Sequence, residues 1–337
     1  MTSSVESLAP EEEIAGPKEV VGKSPLRIAF DRLRHDKIAI ICAVIVALFA
    51  IIAIFAGPVT HLFGVSLNQQ GLPCDYVVCG YSPDGTAIGL PLTGPPAHGF
   101  DIHHPFGLAP DTGADNLATW IYGARTSLLL ALLSTVGSTV IGVLLGLIAG
   151  FAGGVIDTVI SFLTDLFLTI PFLLAAIAFS AILSDRFGDQ PDKWETWSFR
   201  SLILILVVFS WMGTTRLIRG EVVSLREREF VQAARVIGVP TRRILFKEIL
   251  PNLVAPIVVT ISLSLPAFVS AEAGLSFLGI GVVGRPSWGQ TIDAATNYWQ
   301  EYPLYLWEPV LGIIVLVVAL NLLGDAIRDA LDPKTRR

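Results

Sequence analysis

Long apolar runs alternate with short polar stretches along this chain, and the runs have the length of membrane spans. Ile38 to Gly57 is twenty residues without a charge, enough to cross a hydrocarbon core of about 30 Å as a helix. The same reading predicts spans at roughly Thr126–Phe151, Ile156–Leu183, Leu202–Thr215, Leu253–Ala271 and Pro309–Leu323. Six spans put both chain ends on one side of the membrane. Ahead of the first span, PLRIAFDRLRHDK carries Leu26, Ala29, Phe30 and Leu33 at helical spacing, with Arg27, Asp31 and Arg34 off that stripe. This predicts a short amphipathic helix, lying on the inner membrane surface or packed on neighbouring protein. The pattern divides the chain into a cytoplasmic tail with this helix (1–37), the first span (38–57), an external loop (58–119), a five-helix core (120–333) containing a polar loop over 218–252, and a short cytoplasmic tail (334–337).

Within the spans, Gly142, Gly146 and Gly150 recur every four residues, on one helix face. Small residues at this spacing let two helices approach closely, a packing signal with no chemistry attached. Asp165 falls inside the third span and Glu272 at the end of the fifth. An intramembrane carboxylate is costly and faces other helices or a water-filled path, so both are candidates for a translocation path. A hydrogen-bonded structural role is the alternative for each. Trp299, Tyr302, Tyr305 and Trp307 fit an interfacial aromatic belt.

Composition sharpens the class. Of 337 residues 53 % are hydrophobic and only 15 % charged, against about 25 % charged in soluble domains, so the chain reads as an all-α polytopic membrane protein. A net charge of −6 argues against nucleic acid as a partner. Residues 58–119 contain no Lys or Arg, whereas the N-terminal tail carries six; the positive-inside rule then places the tail in the cytoplasm and the loop outside. Cys74 and Cys79 in that loop are placed to form a disulfide in an oxidising compartment, with two free thiols as the alternative. His61, His98, His103 and His104 share the loop, but their spacing matches no strong ligand pattern, and no metal site is expected.

The most basic stretch lies between the fourth and fifth spans. From Arg216 to Pro251, eight basic residues face four acids. Phe230, Ala233, Ala234 and Ile237 recur at i, i+3, i+4, i+7, one face of a helix. Gly238 and Pro240 give a stop signal, and Thr241 is a candidate cap for a second short helix carrying Ile244, Leu245 and Ile249. The expectation is two short helices joined at a glycine turn. Taken alone this is an ordinary basic cytoplasmic loop, a DNA-reading helix pair (disfavoured by the flanking spans and the acidic chain), or a docking element for a cytoplasmic partner.

The segment QAARVIGVPTRRILFKEILP, Gln232 to Pro251, resembles the EAA loop of ABC-importer permeases, with Gln232, Ala233, Ala234, Gly238, Leu250 and Pro251 in register. Gln232 stands where that family usually has Glu. HPFG (104–107), IYGARTSL (121–128), SWMGTTRLIRGEVVSLREREF (210–230), AEAGLSFLGIGV (271–282), RPSWGQ (285–290) and NLLGDAIRDALDP (321–333) are similar to the second permease subunit of dipeptide, oligopeptide and nickel importers. The resemblance implies a six-helix permease of the type I ABC importer kind in a bacterial inner membrane, with both termini cytoplasmic. It implies a heterodimer with a homologous permease, two cytoplasmic ATP-binding domains and an extracytoplasmic substrate-binding protein, all within membrane lipid. The coupling residues it points to are Arg226, Gln232, Ala233, Ala234, Gly238, Arg242, Leu250 and Pro251. ATP and Mg would sit on the partner ATPases, and this chain would bind no cofactor. A nickel or other small-solute permease, an ion-coupled secondary transporter or channel, and a membrane scaffold are the rival readings.

No G-x-x-x-x-G-K-[ST] stretch and no catalytic constellation occurs in the sequence. The purified chain alone is therefore expected to hydrolyse no ATP; phosphate release above background from the isolated chain would overturn this reading.

Overall fold

The structure, a computed structural model, describes residues 30–67, 80–81, 87–88, 102, 104–110, 113–300 and 302–331. Apart from a two-residue antiparallel pairing of Gly80–Tyr81 with Ala87–Ile88 and one isolated bridge between Leu108 and Asp115, the regular structure among these residues is helical. The amphipathic segment is described only from Phe30, where residues 30–33 are helical. Helix α1 (Lys37–Ile54) starts where Asp36 accepts hydrogen bonds from the Ile38 and Ala39 amides, an N-cap. It breaks at Phe55 and continues as α2 (Ala56–Phe63). Helix α3 (Asn116–Ala152) is 37 residues long, about 55 Å, and is capped by Asp115.

The third predicted span is not one helix. Residues 154–187 form α4 (Gly154–Thr169) and α5 (Phe172–Phe187), bent by 82°. Pro171 lacks an amide donor and disfavours helical geometry at the preceding residue, and Ile170 is accordingly extended. Helices α6 (Pro191–Val208) and α7 (Trp211–Arg226) run together as one long segment, Lys193–Arg226. Much of the stretch between the third and fourth predicted spans is thus helical; Pro191 opens α6, and Phe187 stacks on Trp197 at 5.3 Å. After α8 (Glu229–Val236) come α9 (Thr241–Phe277), α10 (Trp288–Ala295) and α11 (Pro303–Leu331). Among the described residues, five segments are long and apolar enough to span a membrane, and the bent α4–α5 pair makes up to a sixth.

Helix α3 is the central element and lies against α7, α9, α6 and α1. Its glycine stripe faces α7. A Cβ on Gly142 would lie 2.5 Å from Thr214 Cβ, one on Gly146 2.8 Å from Ile218 Cβ, and one on Gly150 2.8 Å from the Arg219 carbonyl. Backbone therefore meets backbone, and Thr215 Oγ1 donates to the Gly142 carbonyl at 3.3 Å.

The bundle has two unlike ends. At one, Arg32 donates to the Ala330 carbonyl and Arg226 to the Gly150 carbonyl. At the other, the fully buried Trp288 donates to the Trp120 carbonyl at 3.0 Å, and Trp120 to the Glu308 carbonyl at 3.1 Å. Of the four residues expected in an aromatic belt, only Trp299 and Trp307 are exposed. Tyr302 and Tyr305 are buried with Ala109 and Ala295, because the segment folds back on the residues before α3.

Gly142→Ala should destabilise the detergent-purified chain by about 1–3 kcal/mol, the range for overpacking a filled interior. Gly213→Ala, on α7 with nothing within 4 Å of its added carbon, should be neutral or slightly stabilising. Thermal unfolding followed by circular dichroism separates the two; equal effects would mean the glycine stripe is not the contact.

Candidate functional site

The basic stretch folds as a short lever at the Arg226 end of the bundle. The Arg226 guanidinium donates to the Gly150 carbonyl at 3.0 Å and to Glu227 Oε1 at 3.1 Å, tying the end of α7 to the end of α3. Helix α8 then buries Val231 completely and Ala234 partly, against Leu147, Ile218, Val222, Ile244, Ile249 and Leu253. The Arg235 guanidinium lies 4.7 Å from the centre of the Phe151 ring, a cation–π contact.

The turn after α8 is closed by its own backbone. The Gly238 amide donates to the Arg235 carbonyl at 3.0 Å and the Val239 amide to the Ala234 carbonyl at 3.0 Å. Gly238 has φ 81°, the left-handed conformation that glycine adopts without strain. Val239 packs in the same apolar cluster as Ala234, and together these are the marks of a Schellman cap.

The apolar stripe seen in the sequence does not form the buried face. Phe230, Ala233 and Ile237 point outward, while Val231 and Ala234 face the bundle. Val236 and Ile237 are 88 % and 80 % exposed. Arg242, Arg243 and Lys247 are exposed beside them, as is half of Phe246. The turn thus presents two bare aliphatic side chains close in sequence to exposed basic residues.

The second short helix is the beginning of α9. Pro240 occupies the cap position, and Thr241 is the first helical residue with no side-chain capping bond. The chain then passes through a π turn at Ile244–Ile249 and a 3-10 turn at Leu250–Leu253 before the α-helix of Val254–Phe277. Re-registering the backbone bonds in this way lets a helix pass a proline, here Pro251, without ending. Gln232 Nε2 donates to the Arg226 carbonyl at 3.3 Å. A Glu at this position has no proton to give that carbonyl at neutral pH.

Asp165 pairs with Arg216, and Asp157 with Arg219, whose Nη2 lies 2.7 Å from the second Asp157 oxygen. The pairs join α4 to α7. Asp165 and Arg216 are both more than half exposed and border a cavity of about 370 Å³ that Thr164 and Arg219 also line. Glu272 is fully buried: one oxygen accepts from Ser276 at 2.8 Å, the other has no hydrogen-bond partner among the described residues, and Ser127 and Ser287 face the group. His104 Nδ1 lies 2.7 Å from the Asp115 carboxylate, which also caps α3, and His61 is exposed near the end of α2. Cys74, Cys79, His98 and His103 lie outside the described residues. Sequence reasoning missed Arg216 and Arg219 as the partners of the two aspartates. It also missed Val236, whose signal was a bulky apolar residue beside the glycine stop.

Comparison with known proteins bears on this surface. Residues 142–337 match the family described as the binding-protein-dependent transport system inner membrane component, and residues 24–71 match the N-terminal TM domain of oligopeptide transport permease C. The dipeptide transport system permease protein DppC of Alkalihalophilus pseudofirmus is 33 % identical over 314 residues, 93 % of this chain and 91 % of the relative. The oligopeptide transport system permease protein OppC of Bacillus subtilis is 31 % identical over 328 residues, 96 % of this chain and 95 % of the relative. The MetNI methionine ABC transporter in an inward facing conformation aligns with TM-score 0.49 and 19 % identity, covering 64 % of this chain and 96 % of that chain.

Val231→Ala should loosen α8 by roughly 2 kcal/mol, the worth of a buried valine side chain, whereas Val236→Ala should not. Hydrogen exchange of the α8 amides in the full chain reads both; equal protection in the two variants would mean that α8 is not seated through Val231.

Proposed function

The chain belongs to the family of binding-protein-dependent transport system inner membrane components, and on that premise we propose that it is one of two homologous permease subunits of an ATP-driven importer of short peptides. The names of its relatives, dipeptide and oligopeptide transport permeases, favour peptides over nickel or another small solute as cargo. Membership of that family is incompatible with an ion-coupled transporter, a channel or a passive scaffold. The complex would contain two cytoplasmic ATP-binding domains that hold ATP and Mg, and an extracytoplasmic binding protein that delivers the peptide.

The observation that carries the coupling role is the exposure of Val236 and Ile237 on a turn that is otherwise locked to the bundle. A docking element transmits movement only if it is stiff. Here Val231, the Arg235–Phe151 contact and the Arg226–Gly150 bond fix α8 to α3 and α7. When ATP draws the two ATPases together, the turn is carried with the ATPase surface. Helices α7 and α3 follow it as a body, the rigid-body mode of switching between inward and outward access. Gln232 cannot form the ion pair with the ATPase that a Glu would offer; its contribution is the bond that holds α8 to the end of α7. Asp165, at the rim of the cavity beside α7, is the better candidate for contact with the cargo, since Glu272 is enclosed among serines.

Basic residues gather at the α8 end of the bundle, which supports a cytoplasmic location for that end. The N-terminal segment and the end of α11 meet there through Arg32 and Ala330, so both termini would be cytoplasmic.

The test is a pull-down in mild detergent from cells that express the whole operon. Wild type should bring down a second permease and a P-loop ATPase. Gly238→Pro should keep the permease and lose the ATPase, since proline fixes φ near −65° and removes the amide that donates to Arg235. Val236→Ser with Ile237→Ser should weaken ATPase retention at least tenfold without lowering thermal stability. Full retention in these variants would remove the turn from coupling, and no ATPase with wild type would sink the importer assignment.

A further inference from the structure

At the end of the bundle opposite the docking turn, an apolar groove of about 410 Å³ runs between α1 and α3. Ala50 and Ile54 form one wall, Leu128 and Leu132 the other, and Leu265 and Leu320 the floor. Arg125 sits at its mouth. It is the last charged residue before the uncharged run 126–152 of α3, which places it where hydrocarbon gives way to the polar interface. Its side chain is exposed, and among the described residues it has no carboxylate partner and no hydrogen bond. Two cations of α7, Arg216 and Arg219, each hold an aspartate.

We propose that this groove binds an anionic glycerophospholipid of the leaflet opposite the docking turn, with an acyl chain between α1 and α3 and the headgroup phosphate on the Arg125 guanidinium. The length fits: Arg125 to Leu132 is seven residues, about 10 Å of helix, and the groove opens sideways past Ile54 and Leu132, both exposed. The chemistry fits too. The walls are aliphatic, so a water-soluble anion gains nothing from them, and the guanidinium fork matches a phosphate in two-point geometry. A cation without a counter-ion at this depth prefers a lipid with net negative charge to a zwitterionic one. The bound lipid would act as a wedge that holds the first span against the core. This inference does not rest on the peptide-import reading.

The full chain, purified with its partner subunits, would be placed in nanodiscs containing phosphatidylglycerol or phosphatidylcholine with a photoreactive diazirine in one acyl chain. Labelling by phosphatidylglycerol should map to residues 50–54 and 128–132 and exceed that by phosphatidylcholine at least fivefold. Arg125→Gln should abolish the preference, Arg125→Lys should keep much of it, and Ala50→Trp should block labelling by filling the groove while leaving Arg125 in place. Equal labelling by the two lipids, or an unchanged preference in Arg125→Gln, would overturn the proposal. So would efficient cross-linking of Leu129→Cys to the second permease, which would make the groove a protein interface. Comparable helical circular dichroism for all variants guards against misfolding.

Discussion

The close approach of α3 and α7 is the constraint on which the rest of this structure depends. In a membrane, lipid is as apolar as the helices, so burial of hydrocarbon gives helices little reason to associate; tight packing and satisfied polar groups must hold them. Gly142, Gly146 and Gly150 remove the side chains that would separate the two backbones, and Thr214 and Ile218 fill the space that is left. The approach fixes the height of α7 against α3. That height brings Arg226 to the open carbonyl of Gly150 and leaves Arg216 and Arg219 on a face where α4 can offer its aspartates. Shift the pair by one turn and these contacts fail together.

The turn after α8 is seated by the same packing. Its apolar residues divide between two tasks: Val231, Ala234 and Val239 seat it in the bundle, while Val236 and Ile237 are presented to solvent. The Schellman closure supplies backbone partners at the one place where the chain must reverse, so the exposed tip does not depend on side-chain contacts for its shape. The α4 arm of the pair that bends by 82° is joined to α7 by the two ion pairs.

The buried polar groups divide by environment. Glu272 is enclosed by serines of α9, of α3 and of the segment before α10. The aspartates of α4 are both paired, Asp165 exposed and Asp157 half-buried. Arg125 is exposed and unpaired among the described residues.

Much of this was written in the sequence. Uncharged runs of about twenty residues determine that helices cross a membrane, because no other structure satisfies the backbone there. The four-residue glycine spacing determines that one face of α3 packs tightly, and Gly238 followed by Pro240 determines where α8 stops. These are local consequences of single residues. What α3 packs against was not legible, since Gly142 and Thr214 are far apart in the chain and nothing local links them. The pairing of Asp157 with Arg219 was hidden for the same reason, and so was the burial of Glu272. Helical periodicity identified an apolar stripe on α8 but could not say whether it faced the bundle or a partner. Only the tertiary structure decided that, because a stripe that is outward in this fold would be inward in another: burial belongs to the arrangement of neighbours, and periodicity reports only which residues share a face.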